Sequence, residues 1–194
     1  MIGYIKGKIV HKSPARMIVE NNGIGYVLNV SLQTSESVGE EGEDVKLFVH
    51  QQITDEEIQL YGFSTEEEKK VFELLLGVPG IGPRVALRIL SGMSINELYN
   101  AIIAEDAEIF TKVPGVGRKT GERLIVELKQ RVEKISTIPG IKEKEREIFI
   151  AAVEALTVLG YKRKEATAAI NRVMKEKKGD LNLEEIIKEA LRKI

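Results

Sequence analysis

Val78-Pro79-Gly80-Ile81-Gly82-Pro83-Arg84 returns 35 residues later as Val113-Pro114-Gly115-Val116-Gly117-Arg118-Lys119. The match runs on through Arg88 over Arg123 and Ile89-Leu90 over Leu124-Ile125. Each copy follows an apolar helix end, Leu74-Leu75-Leu76 or Ile109-Phe110, and opens a new helical pattern. Glycines in such a connection permit backbone conformations closed to other residues and let another backbone approach closely. The apolar residue between them, Ile81 or Val116, pins the turn into a core.

Gly82 and Gly117 fall at the start of a helix, where unpaired N–H groups converge. Such a nest suits an anion, and a phosphate is the natural guest. Arg84 in one copy, and Arg118 with Lys119 in the other, add positive charge beside it. Pro83 fits the first helical turn, where a missing N–H costs nothing. The segment Lys112–Lys134 holds seven basic and three acidic residues. A clamp of this kind grips backbone phosphates and ignores base identity. A dinucleotide fingerprint would need glycine at Val85 or Thr120, and a P-loop would need Gly-Lys-Ser/Thr after four spacers; neither copy has these. The bland alternative is a pair of tight helix connections with no ligand.

Around this repeat the chain divides by period. Residues 1–63 alternate apolar and polar, with strands expected at Ile2–Val10, Ala15–Glu20, Ile24–Val30, Val45–Ile53 and Ile58–Phe63. Asn22-Gly23 suits the positive φ angles of a tight hairpin. Five short strands fit an N-terminal five-stranded β-barrel of the oligonucleotide/oligosaccharide-binding (OB) type, with a small SH3-like barrel as the rival. Helical period takes over at 64–135, opened by Ser64-Thr65 and an acidic first turn, with helices expected near 65–76, 83–91, 95–104, 106–111 and 118–134. Ser136–Lys144 reads as a linker, and 145–194 as a C-terminal three-helix bundle. The expected fold is therefore α+β and multidomain.

Charge and composition narrow the function. Residues 1–63 carry 5 basic and 9 acidic groups, 64–135 carry 11 of each, and 136–194 carry 13 and 10, giving −1 overall. Net charge alone does not mark a nucleic-acid binder; placement on one face would have to. The absence of cysteine removes thiolate metal sites, disulfides and thiol nucleophiles, and two histidines do not make a metal centre. No metal or cofactor is expected. No apolar run approaches a bilayer span and no leader opens the chain, so a cytoplasmic protein without membrane contact is the expectation.

The paired loops look like tandem helix-hairpin-helix motifs, and their setting between a barrel and a small bundle is similar to the RuvA family of Holliday-junction-binding subunits. Met1-Ile2-Gly3, Gly23-Ile24-Gly25-Tyr26, Leu60-Tyr61-Gly62-Phe63, Leu90-Ser91-Gly92-Met93-Ser94, Glu122–Glu127 and Leu159-Gly160-Tyr161-Lys162 carry the resemblance. It implies a non-catalytic homotetramer, in some cases two stacked as an octamer, that holds four-way junction DNA open and square. The implied DNA-binding residues are Pro79, Gly80, Ile81, Gly82, Arg84, Pro114, Gly115, Val116, Gly117, Arg118, Lys119 and Arg123. Asp55 and Glu56 stand where the family carries an acidic pin, whose charge would repel phosphates at the junction centre. The last domain, UBA-like at Leu159, Gly160 and Tyr161, would be loosely tethered and recruit the RuvB hexameric ATPase; a RuvC-type resolvase is a further partner.

Other readings start from the same residues. Asp55-Glu56-Glu57 on Mg²⁺ would make a nuclease, but a two-metal site needs carboxylates converging from separate elements. A glycosylase needs a base-flipping pocket with a catalytic Asp or Lys, and no such constellation is visible. A single-strand-binding barrel needs exposed aromatics, whereas Tyr4, Tyr26, Phe48, Tyr61 and Phe63 are few enough to be core. His11 and His50 read as ordinary surface or strand-face residues without an acidic partner, and Lys175–Lys178 as a solvated helix end. Leu159-Gly160-Tyr161 reads equally as a plain helix–helix turn over a buried tyrosine.

Overall fold

The computed structural model describes residues 1–134, 143–176 and 182–194. Two compact units form: Met1–Ser94 with Val113–Val116, and Ile95–Lys112 with Gly117–Ile194.

The first unit begins with five strands: β1 (Tyr4–Ser13), β2 (Arg16–Asn21), β3 (Ile24–Val30), β4 (Asp44–Ile53) and β5 (Ile58–Phe63). They close into a barrel in the order β1-β2-β3-β5-β4, and β3 pairs with β5 in parallel. That order and the parallel seam are those of the OB barrel, which sets aside the SH3-like alternative. β1 pairs with β4 through Tyr4–Lys8 and with β2 through Lys8–Ser13, and a register shift between Ile9 and His11 lets it serve both neighbours. The β2–β3 turn has φ of 50° at Asn22 and 83° at Gly23, the twisted hairpin turn that Asn-Gly favours.

Alternation buries one side of β1 to β4, whereas β5 ends in three successive buried residues, Tyr61, Gly62 and Phe63. Ile5, Ile9, Met17, Val19, Leu28, Val30, Val45, Leu47 and Val49 fill the barrel. Each such side chain contributes about 1.5–3 kcal/mol on burial. The barrel's aromatics divide. Tyr61 and Phe63 are buried and pack on Phe72, but Tyr4 is 59% exposed, correcting its expected place in the core. The Lys46 ammonium lies 4.7 Å from the Tyr4 ring centre and 5.0 Å from that of Phe48, so the cation covers this aromatic pair.

Between β3 and β4 lies a short helix, α1 (Leu32–Ser37), absent from the sequence reading. Ser31 caps it, accepting from Thr34 N at 3.0 Å. α2 (Glu66–Leu76) follows the barrel, capped by Thr65 and opening on Glu66, Glu67 and Glu68. Glu66 and Glu67 suit the positive helix end. Glu68 instead turns inward: Ser31 Oγ donates to it at 2.5 Å and Thr34 Oγ1 at 2.6 Å. That buried carboxylate fastens α1 to α2. α3 (Pro83–Gly92) completes the unit.

The second unit contains α4 (Ile95–Ala104), α5 (Glu108–Thr111), α6 (Arg118–Lys134), α7 (Glu143–Val158), α8 (Arg163–Glu176) and α9 (Leu183–Leu191). α7, α8 and α9 pack around Phe149, Val153, Leu156, Ile170, Val173 and Ile186. Gly121 differs from its repeat partner Ala86 for a packing reason. A Cβ there would lie 2.7 Å from the Ala107 carbonyl, so α6 reaches its close seat only without a side chain. Most of the expected linker at 136–144 lies outside the described residues, as do Lys177 and Lys178.

Candidate nucleic-acid interface

The two repeat loops have one backbone geometry. Gly80 and Gly115 both have φ of +91°, a conformation that disfavours any residue with a Cβ. Ile81 N donates to Val78 O at 3.0 Å, and Val116 N to Val113 O at 3.0 Å. Val78, Ile81, Val113 and Val116 are buried and anchor the loops from below, while Pro79, Gly80, Gly82, Pro114, Gly115 and Gly117 are exposed. Gly82 caps α3 with no side-chain hydrogen bond and with Pro83, which has no N–H, next. Val85 N and Ala86 N both donate to the Gly82 carbonyl at 3.0 Å, so no side chain covers the start of α3.

Gly82 and Gly117 are informative for a different reason. Neither adopts positive φ, and a Cβ built on either meets nothing within 4 Å. Neither backbone strain nor internal packing requires glycine there. What a methyl group would obstruct is an outside molecule approaching the loop closely.

The basic residues take unequal roles. Arg84, Lys119 and Arg123 are exposed and form no ion pair among the described residues. Arg118 is exposed and bonds Glu122 at 3.0 Å one turn on, an arrangement screened by water and easily exchanged. Arg88 is committed elsewhere: its guanidinium donates to the Pro114 carbonyl at 2.7 Å and to Arg84 O at 3.3 Å. Within the first unit it therefore ties α3 to the second loop, a role its repeat partner Arg123 does not share. Arg88 is not among the expected DNA-binding residues, because the repeat shows a charge and not its partner.

Asp55 and Glu56 occupy the tip of the β4–β5 hairpin and are exposed. Thr54 closes the turn: its N–H donates to Glu57 O at 3.0 Å and its hydroxyl accepts from Glu57 N at 3.2 Å. Glu57 accepts from the Gln59 amide, which in turn accepts from the Tyr61 hydroxyl. Burial raises the Tyr61 phenol above its usual 10.0, with Arg84 pulling the other way. Gln52, Gln59 and Tyr61 share a cleft of about 280 Å³ with Gly82, Pro83 and Arg84, so the acidic hairpin and the first loop are neighbours within one unit. Among the described residues no cluster of three metal-ligating side chains forms. Each histidine does have a carboxylate partner, correcting the expectation of none: His11 with Glu41 and His50 with Glu73, each at 3.2 Å.

In the second unit, Gly160 turns the chain at φ +96°. Tyr161 is half-buried against the bundle core, while Leu159 is exposed at 61% and Val158, which the sequence reading passed over, at 88%. The bundle also touches α4 and α5. Arg163 donates to Ile103 O at 3.1 Å, Lys164 pairs with Glu108 and with Asp106, and Asn100 bonds Asn171. Lys164 lowers the Glu108 carboxyl from its usual range, and Lys129 does the same to Glu105.

These features define a tandem helix-hairpin-helix protein led by a small closed barrel. The family model described as RuvA N terminal domain matches residues 1–62, the SAM-like helix-hairpin-helix tandem matches 72–131, and the RuvA C-terminal domain matches 152–194. Curated relatives named Holliday junction branch migration complex subunit RuvA include that of Acetivibrio thermocellus, 38% identical over 99% of this chain and 98% of the relative. That of Amoebophilus asiaticus is 40% identical over 99% and 100%, and that of Clostridium tetani 42% identical over 99% and 98%. The chain belongs to the RuvA family.

Proposed function

We propose that this chain binds four-way DNA junctions irrespective of base sequence and holds them open for branch migration. The observation that carries this is the matched pair of loops, with one φ value, one hydrogen-bond pattern and open space above Gly82 and Gly117. Gly80, Gly82, Gly115 and Gly117 present backbone donors to phosphates, while Pro79, Pro114, Ile81 and Val116 hold the loops in shape. Arg84, Arg118, Lys119 and Arg123 supply the charge.

Asp55 and Glu56 face the junction centre. A carboxylate 4 Å from a phosphate repels it by ~1 kcal/mol in water and ~4 kcal/mol at an effective dielectric of 20. Four such tips in a homotetramer, or eight across two stacked tetramers, disfavour a tightly folded crossover and keep strands sliding. The chain is not itself an enzyme: the motor is the hexameric ATPase RuvB, recruited through Val158, Leu159, Gly160 and Tyr161. A RuvC-type resolvase acts on the same open junction, in the cytoplasm. The acidic tip favours this reading over a nuclease, because its side chains diverge from a hairpin end and do not converge on a metal.

A gel-shift titration with a four-way junction, linear duplex and single strand at fixed salt, with and without Mg²⁺, tests the proposal. Junction preference without cleavage is expected. Equal affinity for all three DNAs, or Mg²⁺-dependent cutting, would overturn it.

A further inference from the structure

The acidic hairpin carries a second feature. Ile53 and Ile58 are register partners across β4 and β5, immediately behind the tip, and are 65% and 64% exposed. Side chains alternate along a strand, so this pair lies on the face opposite Gln52 and Gln59. That opposite face is braced by the Tyr61–Gln59–Glu57 relay and by Thr54 across the turn. The hairpin is thus stiffened on one side, and on the other offers two adjacent branched apolar side chains to water.

We infer that Ile53 and Ile58 form an apolar wedge that seats against the face of the last base pair of a junction arm. The inference rests on the proposed placement of Asp55 and Glu56 at the junction centre. Charge selects the occupant. Asp55, Glu56 and Glu57 lie between the two isoleucines in sequence, so a phosphate backbone is repelled from this surface, while the flat face of a base pair carries no net charge. Opening a junction into a square removes stacking partners at the crossover and leaves such faces bare. Isoleucine is among the side chains that proteins place against unstacked base steps. A second copy of this chain fits poorly, because laying one hairpin on another would bring six carboxylates together.

The test uses the full-length protein and an immobile four-way junction with 2-aminopurine at a crossover position, read by acrylamide quenching. The wild-type complex shields the crossover base, whereas 2-aminopurine placed within an arm is unaffected by the wedge. The double substitution Ile53→Thr with Ile58→Thr keeps β-branched residues in the strands, leaves junction binding in place and loses the shielding. Ile53→Leu with Ile58→Leu retains it. Equal shielding by wild type and the threonine variant, both bound to the junction, would overturn the wedge and leave the proposed function standing. Failure of the wild type to prefer the junction would overturn both. A change in the mass of the free threonine variant by light scattering would assign the pair to contacts between copies and overturn the wedge.

Discussion

Four glycines in the two loops divide by physical cause. Gly80 and Gly115 are required by a φ of +91°, whereas Gly82 and Gly117 are required by nothing inside the protein. Substitution separates these causes. Gly80→Ala strains the backbone by about 1–2 kcal/mol and lowers the melting temperature. Gly82→Ala with Gly117→Ala leaves melting almost unchanged and weakens junction binding about tenfold to hundredfold, the loss expected for one or more hydrogen bonds to a charged group. Calorimetry beside gel shifts checks both. Sequence alone could group the four glycines but not sort them. Glu68 was similarly opaque: it reads as one of three acids at a helix start, and its real partners include Ser31, 37 residues away.

At the scale of elements, what could be read followed local period. Strands with one wet face and helices with capped acidic starts carry their signal within a few residues. α1 is six residues long, too short for a period to register. The contact of α8 with α4 and α5 was hidden for another reason, since Lys164 meets Glu108 across 56 residues. That contact titrates. Glu105 and Glu108 have carboxyls depressed below the usual 4.5, so their stabilising charge is present above that value and fades as pH falls through their lowered ranges. Lys164 is shifted upward from 10.5 and stays charged throughout this window. Acidification below 4.5 is therefore expected to release Lys164 from Glu108 before the bundle core melts, as is added salt at neutral pH. Hydrogen exchange at α4 and α8 reads this as lost protection there, with Phe149 and Ile170 still protected. Lys164→Glu should produce the same loss at neutral pH without acid.

For the molecule as a whole, a net charge of −1 has to coexist with a grip on a polyanion. The exposed Arg84, Lys119 and Arg123, without acidic partners among the described residues, set the expected salt dependence. Lys119→Ala should weaken junction and duplex binding alike and reduce the slope of log K against log salt by about 1. Asp55→Asn with Glu56→Gln should act in the other direction, tightening junction binding while slowing strand exchange. Titrations at several salt concentrations, beside a branch-migration assay with the RuvB motor, distinguish these outcomes. The barrel, the tandem loops and the closing bundle were all legible as an ordered series. Which charges remain free to act was not, because Arg88 and Arg123 look alike until the Pro114 carbonyl is found beside one of them.

That single bond between Arg88 and Pro114 makes the two loops parts of one gauge. A gauge with a locked jaw measures pitch: it accepts a backbone whose repeat suits its opening and refuses one that is wound differently. Selectivity for a helical form would then follow from the spacing that Arg88 imposes on the two loops, beyond any charge it offers.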